Sequence, residues 1–159
     1  MGLLFIPFNR FSNNINKVTT VNSHFGVWLT YKSIMTDAKT MDLASTLLLA
    51  SLHNRNVHIT SFPTKDDIKF IALSKEKGLK ATCDIAVYAL FLPQDDYPTC
   101  PALPTAEYQK ALWDNPAIID CFSVGGLPFQ LVHDMEQNVN AAFGIADTLP
   151  LLITAVCDG

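Results

Sequence analysis

Charge is scarce in this sequence: Asp, Glu, Lys and Arg make up 16% of its 159 residues, against 49% apolar residues. Segments buried on both faces have that profile, and a free-standing domain of this size usually carries more charge. Net charge is −4 and the Lys and Arg residues are scattered, which excludes an electrostatic footprint for nucleic acid or for a membrane surface. Long apolar runs are also missing. Leu43 to Leu52 is interrupted by Ser45, Thr46 and Ser51 and falls far below the roughly 20 residues of a bilayer span. MGLLFIPF lacks a basic n-region and a small-residue cleavage site, and Ile6 stands where a myristoylation motif wants Ser or Thr, so neither a signal peptide nor that anchor is expected. Cys83, Cys100, Cys121 and Cys157 show no CxxC spacing, which points to reduced thiols and a cytoplasmic location. Gly125 and Gly126 have no GxGxxG or P-loop context, so they are a weak signal for a phosphate cradle.

Strand-like and helix-like segments alternate along the chain, the pattern of parallel βα units. GLLFIPF reads as a strand and Asn14 to His24 as a helix. Lys32 to Thr36 is a second strand, followed by a helix over about Ala38 to His53 with Met41, Ala44, Leu48 and Leu52 on one stripe. VHITS is a third strand. The helix in TKDDIKFIALSKEKGL is fully punctuated: Thr64 as N-cap, Asp66 and Asp67 in the first turn, Lys75 and Lys77 in the last, Gly78 as terminator. ATCDIAVYALFL supplies a fourth strand, and Pro93 to Pro104, with four prolines, is a loop. A helix from Thr105 to Asn115, a buried strand from Ile118 to Val124 and a closing helix near Thr148 to Val156 complete five βα units. The expected fold class is α/β, an incomplete TIM-type barrel within a single partial domain over residues 1–159, since a whole eight-stranded barrel takes roughly 250 residues.

Three blocks carry a family likeness. ALWDNPAIIDCFSVGGLPF, the segment from Ala111 to Phe129, resembles the last barrel strand of the dihydroorotase domain in CAD, the multifunctional pyrimidine-synthesis polypeptide of animals and fungi, in the amidohydrolase superfamily. There the strand ends in Asp-His-Ala-Pro-His; here Gly125, Gly126, Leu127, Pro128 and Phe129 stand in those places. VHITSFPTKDDIKFIALSKEKGLKATCDIAVYALFL is similar to the family's Val-His-Ile-Cys-His-Val-Ala-Arg-Lys-Glu block followed by Thr-Cys-Glu-Val-Ala-Pro-His-His-Leu-Phe-Leu, and TLPLLITAV continues the match. The resemblance makes the five strands equivalent to the fourth to eighth of a barrel.

The resemblance also implies a dismantled active site. The active family enzyme holds two zinc ions, which make hydroxide at neutral pH and polarise the cyclic amide, while an aspartate shuttles the proton. Its carboxylated lysine falls on Leu4, its fifth-strand histidine on Asp37, its sixth-strand histidine on Ser61 and its catalytic aspartate on Gly125. The histidine pair after the seventh strand becomes Tyr88 and Ala89, and a substrate-contacting histidine becomes Phe129. Of these, Asp37 alone could still bind a metal, so no cofactor and no metal or catalytic residue is expected. The reading that follows is a pseudoenzyme, an inactive dihydroorotase-like module with a connector role between carbamoyl phosphate synthetase and aspartate transcarbamoylase modules, or one that self-associates through open barrel edges. Two alternatives are an active zinc-dependent cyclic amidohydrolase and a degenerate fragment without function.

Other candidates read as structural. Strand alternation counted from Ser61 turns His58 towards the helices as a hydrogen-bonded core histidine. Cys83 and Asp84 are neighbours on a strand and point to opposite faces. Cys121 with His133 would be a thiol and base pair, but nothing fixes them together. Asp37, Asp95, Asp96 and Asp120 are too dispersed for a general acid/base pair. Trp28 and Trp113 read as packing residues.

Overall fold

Alternating apolar runs and capped helices fold here into consecutive parallel βα units. The computed structural model describes residues 3–8, 17–60, 64–96, 104–124 and 145–158. Strands β1 (Leu4–Ile6), β2 (Ile34–Thr36), β3 (Val57–Thr60), β4 (Ala81–Ala86) and β5 (Cys121–Ser123) form one sheet in that order. The registers Leu4↔Ile34, Ile34↔Val57 and Val57↔Ala81 fix the first four as parallel. Helices α1 (Lys17–Val27), α2 (Thr40–Leu52) and α3 (Lys65–Glu76) make the crossovers between them. Because parallel crossovers are right-handed, a strand order without reversal places all three helices on one face. That is the winding of a barrel, not of a doubly wound sheet, whose strand order reverses.

The chain divides into two compact units, Met1–Asp84 with Asn115–Cys121, and Ile85–Asp114 with Phe122–Gly159. In the first, Ile6, Ile34, Val57, Ile59, Ala81 and Cys83 form a wholly buried sheet row, and Val21, Phe25, Leu43, Leu47, Ile68 and Ile71 of the helices are buried as well. Phe5, Met35, His58 and Thr82 form the alternate row, on the face that no crossover helix covers, and none of them is fully buried. Thr64 caps α3 by accepting a hydrogen bond from the Asp67 amide, as its sequence position predicts. In the second unit, the single turn α4 (Tyr88–Phe91) is tied to α5 (Ala106–Trp113) by a hydrogen bond from Trp113 Nε1 to Leu90 O (3.0 Å) and by edge-on packing of Phe91 on Trp113. Thr105 caps α5. Helix α6 (Ile145–Asp158) carries Pro150 within it.

Four expectations are corrected. The buried stripe of α2 is Leu43, Leu47 and Ala50, whereas Met41, Leu48 and Leu52 are 75%, 61% and 71% exposed. That helix is apolar nearly all round, so spacing alone does not choose its inner face. The fourth strand ends at Ala86 and residues 88–91 turn into a helix, because a continuous apolar run does not distinguish strand from buried helix. Residues Pro116–Ile118 form a 3-10 turn, and β5 has exposed Cys121 and Phe122 where a buried strand was expected. At the end of a sheet a strand lacks the second neighbour that would bury it. His58 lies on the uncovered row and not on the helix side, because Val57 and Ile59 take the buried helix-facing positions and alternation turns His58 the other way.

Candidate functional site

In a (βα) barrel the chemistry sits at the C-terminal ends of the strands. At the end of β2, Asp37 Oδ1 accepts a hydrogen bond from the Phe8 amide (2.6 Å). One residue earlier, the buried Thr36 donates to Ile6 O (3.0 Å) and accepts from the Ala38 amide (3.2 Å). These polar groups are thus engaged in joining the ends of β1 and β2. Leu4 is half-buried in the row of Ile34 and offers no donor atom. Tyr88 and Ala89 lie on α4; burial pushes the Tyr88 phenol up, and Ala89 is buried. Ser61, Gly125 and Phe129 lie outside the described residues.

Zinc needs three or four His, Cys or carboxylate ligands converging on one point. Among the described residues no group of three such side chains does so. Leu4 and Ala89, which the resemblance sets at two family positions, hold hydrocarbon, Leu4 moreover in the helix-facing row of Ile34, and Asp37 already has a backbone partner. The described residues do not fit the metal.

Two networks of titratable groups lie on the sheet, both architectural. On the uncovered row, His58 lies 2.8 Å from Thr82 Oγ1 through Nδ1 and 3.2 Å from Asp84 Oδ1 through Nε2, cross-linking β3 to β4. Asp84 is buried, so His58 supplies the partner its carboxylate needs. The other network lies at the start of β5. Asp120 accepts hydrogen bonds from the Cys83 amide (2.7 Å) and from Lys75 Nζ (2.5 Å), and Lys75 also donates to Ile118 O (2.6 Å). Burial pushes the Cys83 thiol up to about 12, outweighing the attraction of Lys75. A thiol so protonated at neutral pH is no nucleophile. Asp95 Oδ2 accepts from the Ala106 amide (3.3 Å). The carboxylates are therefore distributed over separate structural contacts and form no acid/base pair. His133 lies outside the described residues, and Trp113 is a packing residue as expected.

Asp120 supports a pH prediction. Burial alone would raise its carboxyl, but hydrogen bonds from Lys75 and the Cys83 amide, with the lysine charge, hold it below the ordinary value. A depressed carboxyl contributes stability above its unfolded pKa and loses it as pH falls through the folded one. Asp120→Asn should accordingly narrow the stability gap to the parent as pH is lowered below about 4, read from denaturant midpoints. A gap that widens on acidification would contradict this pairing.

Sequence reasoning missed two buried charges, Arg55 and Asp67. Four of the five Arg55 N–H groups are used, donating from Nη1 to Phe25 O and Trp28 O and from Nη2 to Leu29 O and Lys32 O. Asp67 is fully buried, accepting from Thr40 N through Oδ1 and from Thr64 Oγ1 through Oδ2, both at 2.7 Å. Scarce charge inside apolar surroundings was the available signal.

No protein-family model matches the chain. It is 58% identical over its full length to the multifunctional protein pyrABCN of Emericella nidulans, of which it spans 7%. It is 32% identical over 91% of its length to the multifunctional protein CAD of Squalus acanthias, again spanning 7%. Among solved structures, the inactive dihydroorotase-like domain of the Chaetomium thermophilum CAD-like multifunctional protein superposes with a TM-score of 0.87 at 59% identity, covering 99% of this chain and 47% of that one. The L-hydantoinase of Arthrobacter aurescens shares the fold with a TM-score of 0.69 at 16% identity, over 99% of this chain and 46% of its own.

Five parallel strands with flanking helices, wound in one direction, define part of a dihydroorotase-like TIM-type barrel. The chain is a homologue of the CAD-type multifunctional pyrimidine proteins, and the solved domain it matches is the dihydroorotase-like one of the Chaetomium thermophilum protein.

Proposed function

We propose that this chain is a catalytically inactive dihydroorotase-like module of pyrimidine synthesis, one partial barrel domain whose role is structural. It connects carbamoyl phosphate synthetase and aspartate transcarbamoylase modules in the cytoplasm. The observation that carries the reading is the state of Asp37: the one carboxylate left at a family ligand position accepts the Phe8 amide and helps hold β1 on β2. The positions of Leu4 and Ala89 supply no metal donor, and in the sequence Gly125, Ser61 and Phe129 stand where the family has its aspartate and histidines. Loss of groups that merely orient metal ligands costs roughly 10 to 100-fold in affinity, so loss of the ligands themselves removes the metal and its hydroxide. Likeness to an inactive domain at 59% identity supports the same reading.

Gly125→Asp tests it. In the native polypeptide this single change is expected to restore no turnover of dihydroorotate. Measurable turnover would mean that a working metal site survives. The connector role is tested by co-purification: the chain should be recovered joined to synthetase or transcarbamoylase activity, and recovery as a free fragment with neither would contradict it.

A further inference from the structure

Between the C-terminal ends of α2 and α3 lies a cavity of about 150 Å³, lined by Ala50, Ser51, Asn54, Arg55, Lys77, Gly78, Leu79 and Lys80. A single water needs roughly 10–15 Å³ by the same measure, so a tetrahedral oxyanion fits. Three of the lining side chains are cationic and none is acidic. Arg55 is 2% exposed, and its Nε is buried with no hydrogen-bond acceptor, although the other four N–H groups of the guanidinium are all engaged. Lys77 and Lys80 are exposed and form no ion pair among the described residues.

We propose that this cavity is a binding site for a small oxyanion of the phosphate class, held by Lys77 and Lys80 with the buried Arg55 behind them. Arg55 acts on the site through its charge alone, because its Nε is shielded even from water and its other four N–H groups are already engaged. An anion also meets little opposition from the helix ends. The carbonyls of Leu49, Ala50 and Ser51 accept the amides of His53, Arg55 and Asn54, and those of Leu73, Ser74 and Lys75 accept the amides of Lys77, Leu79 and Gly78. Three of the last four carbonyls of each helix are thereby bonded, which reduces the negative charge that the lysines and an anion would meet there. Gly78 contributes to the space: at φ +73° it closes α3, and no atom lies within 4 Å of where a Cβ would stand. This site is at the opposite end of the strands from the family's catalytic positions, since it precedes β3 and β4 in the chain. Its occupancy is therefore independent of whether the module is inactive.

Lysine footprinting on the native polypeptide tests the site. An amine-acylating reagent is applied with increasing inorganic phosphate, with chloride at matched ionic strength as the control, and modification is read residue by residue by mass spectrometry. Phosphate should slow acylation of Lys77 and Lys80 together, about tenfold when present at ten times its dissociation constant, and leave the exposed Lys69 and Lys110 unchanged. Lys80→Glu should abolish the protection of Lys77. Succinate in place of phosphate separates the two oxyanion chemistries: protection by phosphate without succinate assigns the phosphate class, and protection by succinate alone overturns it. The proposal also fails if phosphate slows all four lysines equally, if it slows none, or if Lys77 stays protected in Lys80→Glu.

Discussion

Arg55→Ala is expected to destabilise the fold by about 4 kcal/mol, in the range for removing one partner from a buried charged network. The guanidinium donates to four backbone carbonyls at and beyond the end of α1, from Phe25, Trp28, Leu29 and Lys32. Helix ends leave carbonyls without partners, and here one side chain reaches four carbonyls at and after such an end, of which Leu29 O also accepts the Lys32 amide. Alanine removes the donors while the carbonyls stay where they are, at about 1–3 kcal/mol for each that water does not reach. Arg55→Lys should fall between parent and alanine, because an ammonium has three donors on one atom and cannot span the planar fork. Denaturant unfolding reads both variants. A loss below about 1 kcal/mol for Arg55→Ala would show that water satisfies these carbonyls.

Asp67→Ala carries the second-largest expected effect, a loss of about 3 kcal/mol. Its carboxylate ties the N-termini of two helices together, binding the Thr40 amide that opens α2 and the Thr64 hydroxyl that caps α3. Thr40 adopts φ +50°, a left-handed conformation that a β-branched residue takes only under constraint. Asp67 holds that strained turn in place through a 2.7 Å bond. Asp67→Asn keeps an acceptor oxygen and should lose distinctly less than alanine. Equal losses for the two would mean that charge at the helix N-terminus matters here and the Thr40 contact does not.

How far the sequence could be read differed by element. The helix α3 was legible because Thr64, the first-turn aspartates and Gly78 each act within a few residues, and the structure has all of them in those roles. Parallel βα order was legible from alternation alone. The inner face of α2 was not, because Met41, Leu47, Leu48 and Leu49 are alike in hydrophobicity and only tertiary packing selects among them. Asp67 read as a residue favourable to the helix dipole, yet its partner Thr40 is 27 positions away and no local rule reaches that far. Arg55 was invisible for the same reason, its acceptors lying 23 to 30 positions earlier. At the family site, Leu4, Asp37, Tyr88 and Ala89 were named from a register that required no structure; the Asp37 contact to Phe8 required one.

Metal content and turnover, measured together on the native polypeptide, test the central claim most directly. With zinc supplied, the account predicts no dihydroorotate turnover attributable to this module and no zinc retained by it after dialysis. Stoichiometric retained zinc together with turnover lost on mutation of Asp37 would contradict it, and would return the module to the working dihydroorotases.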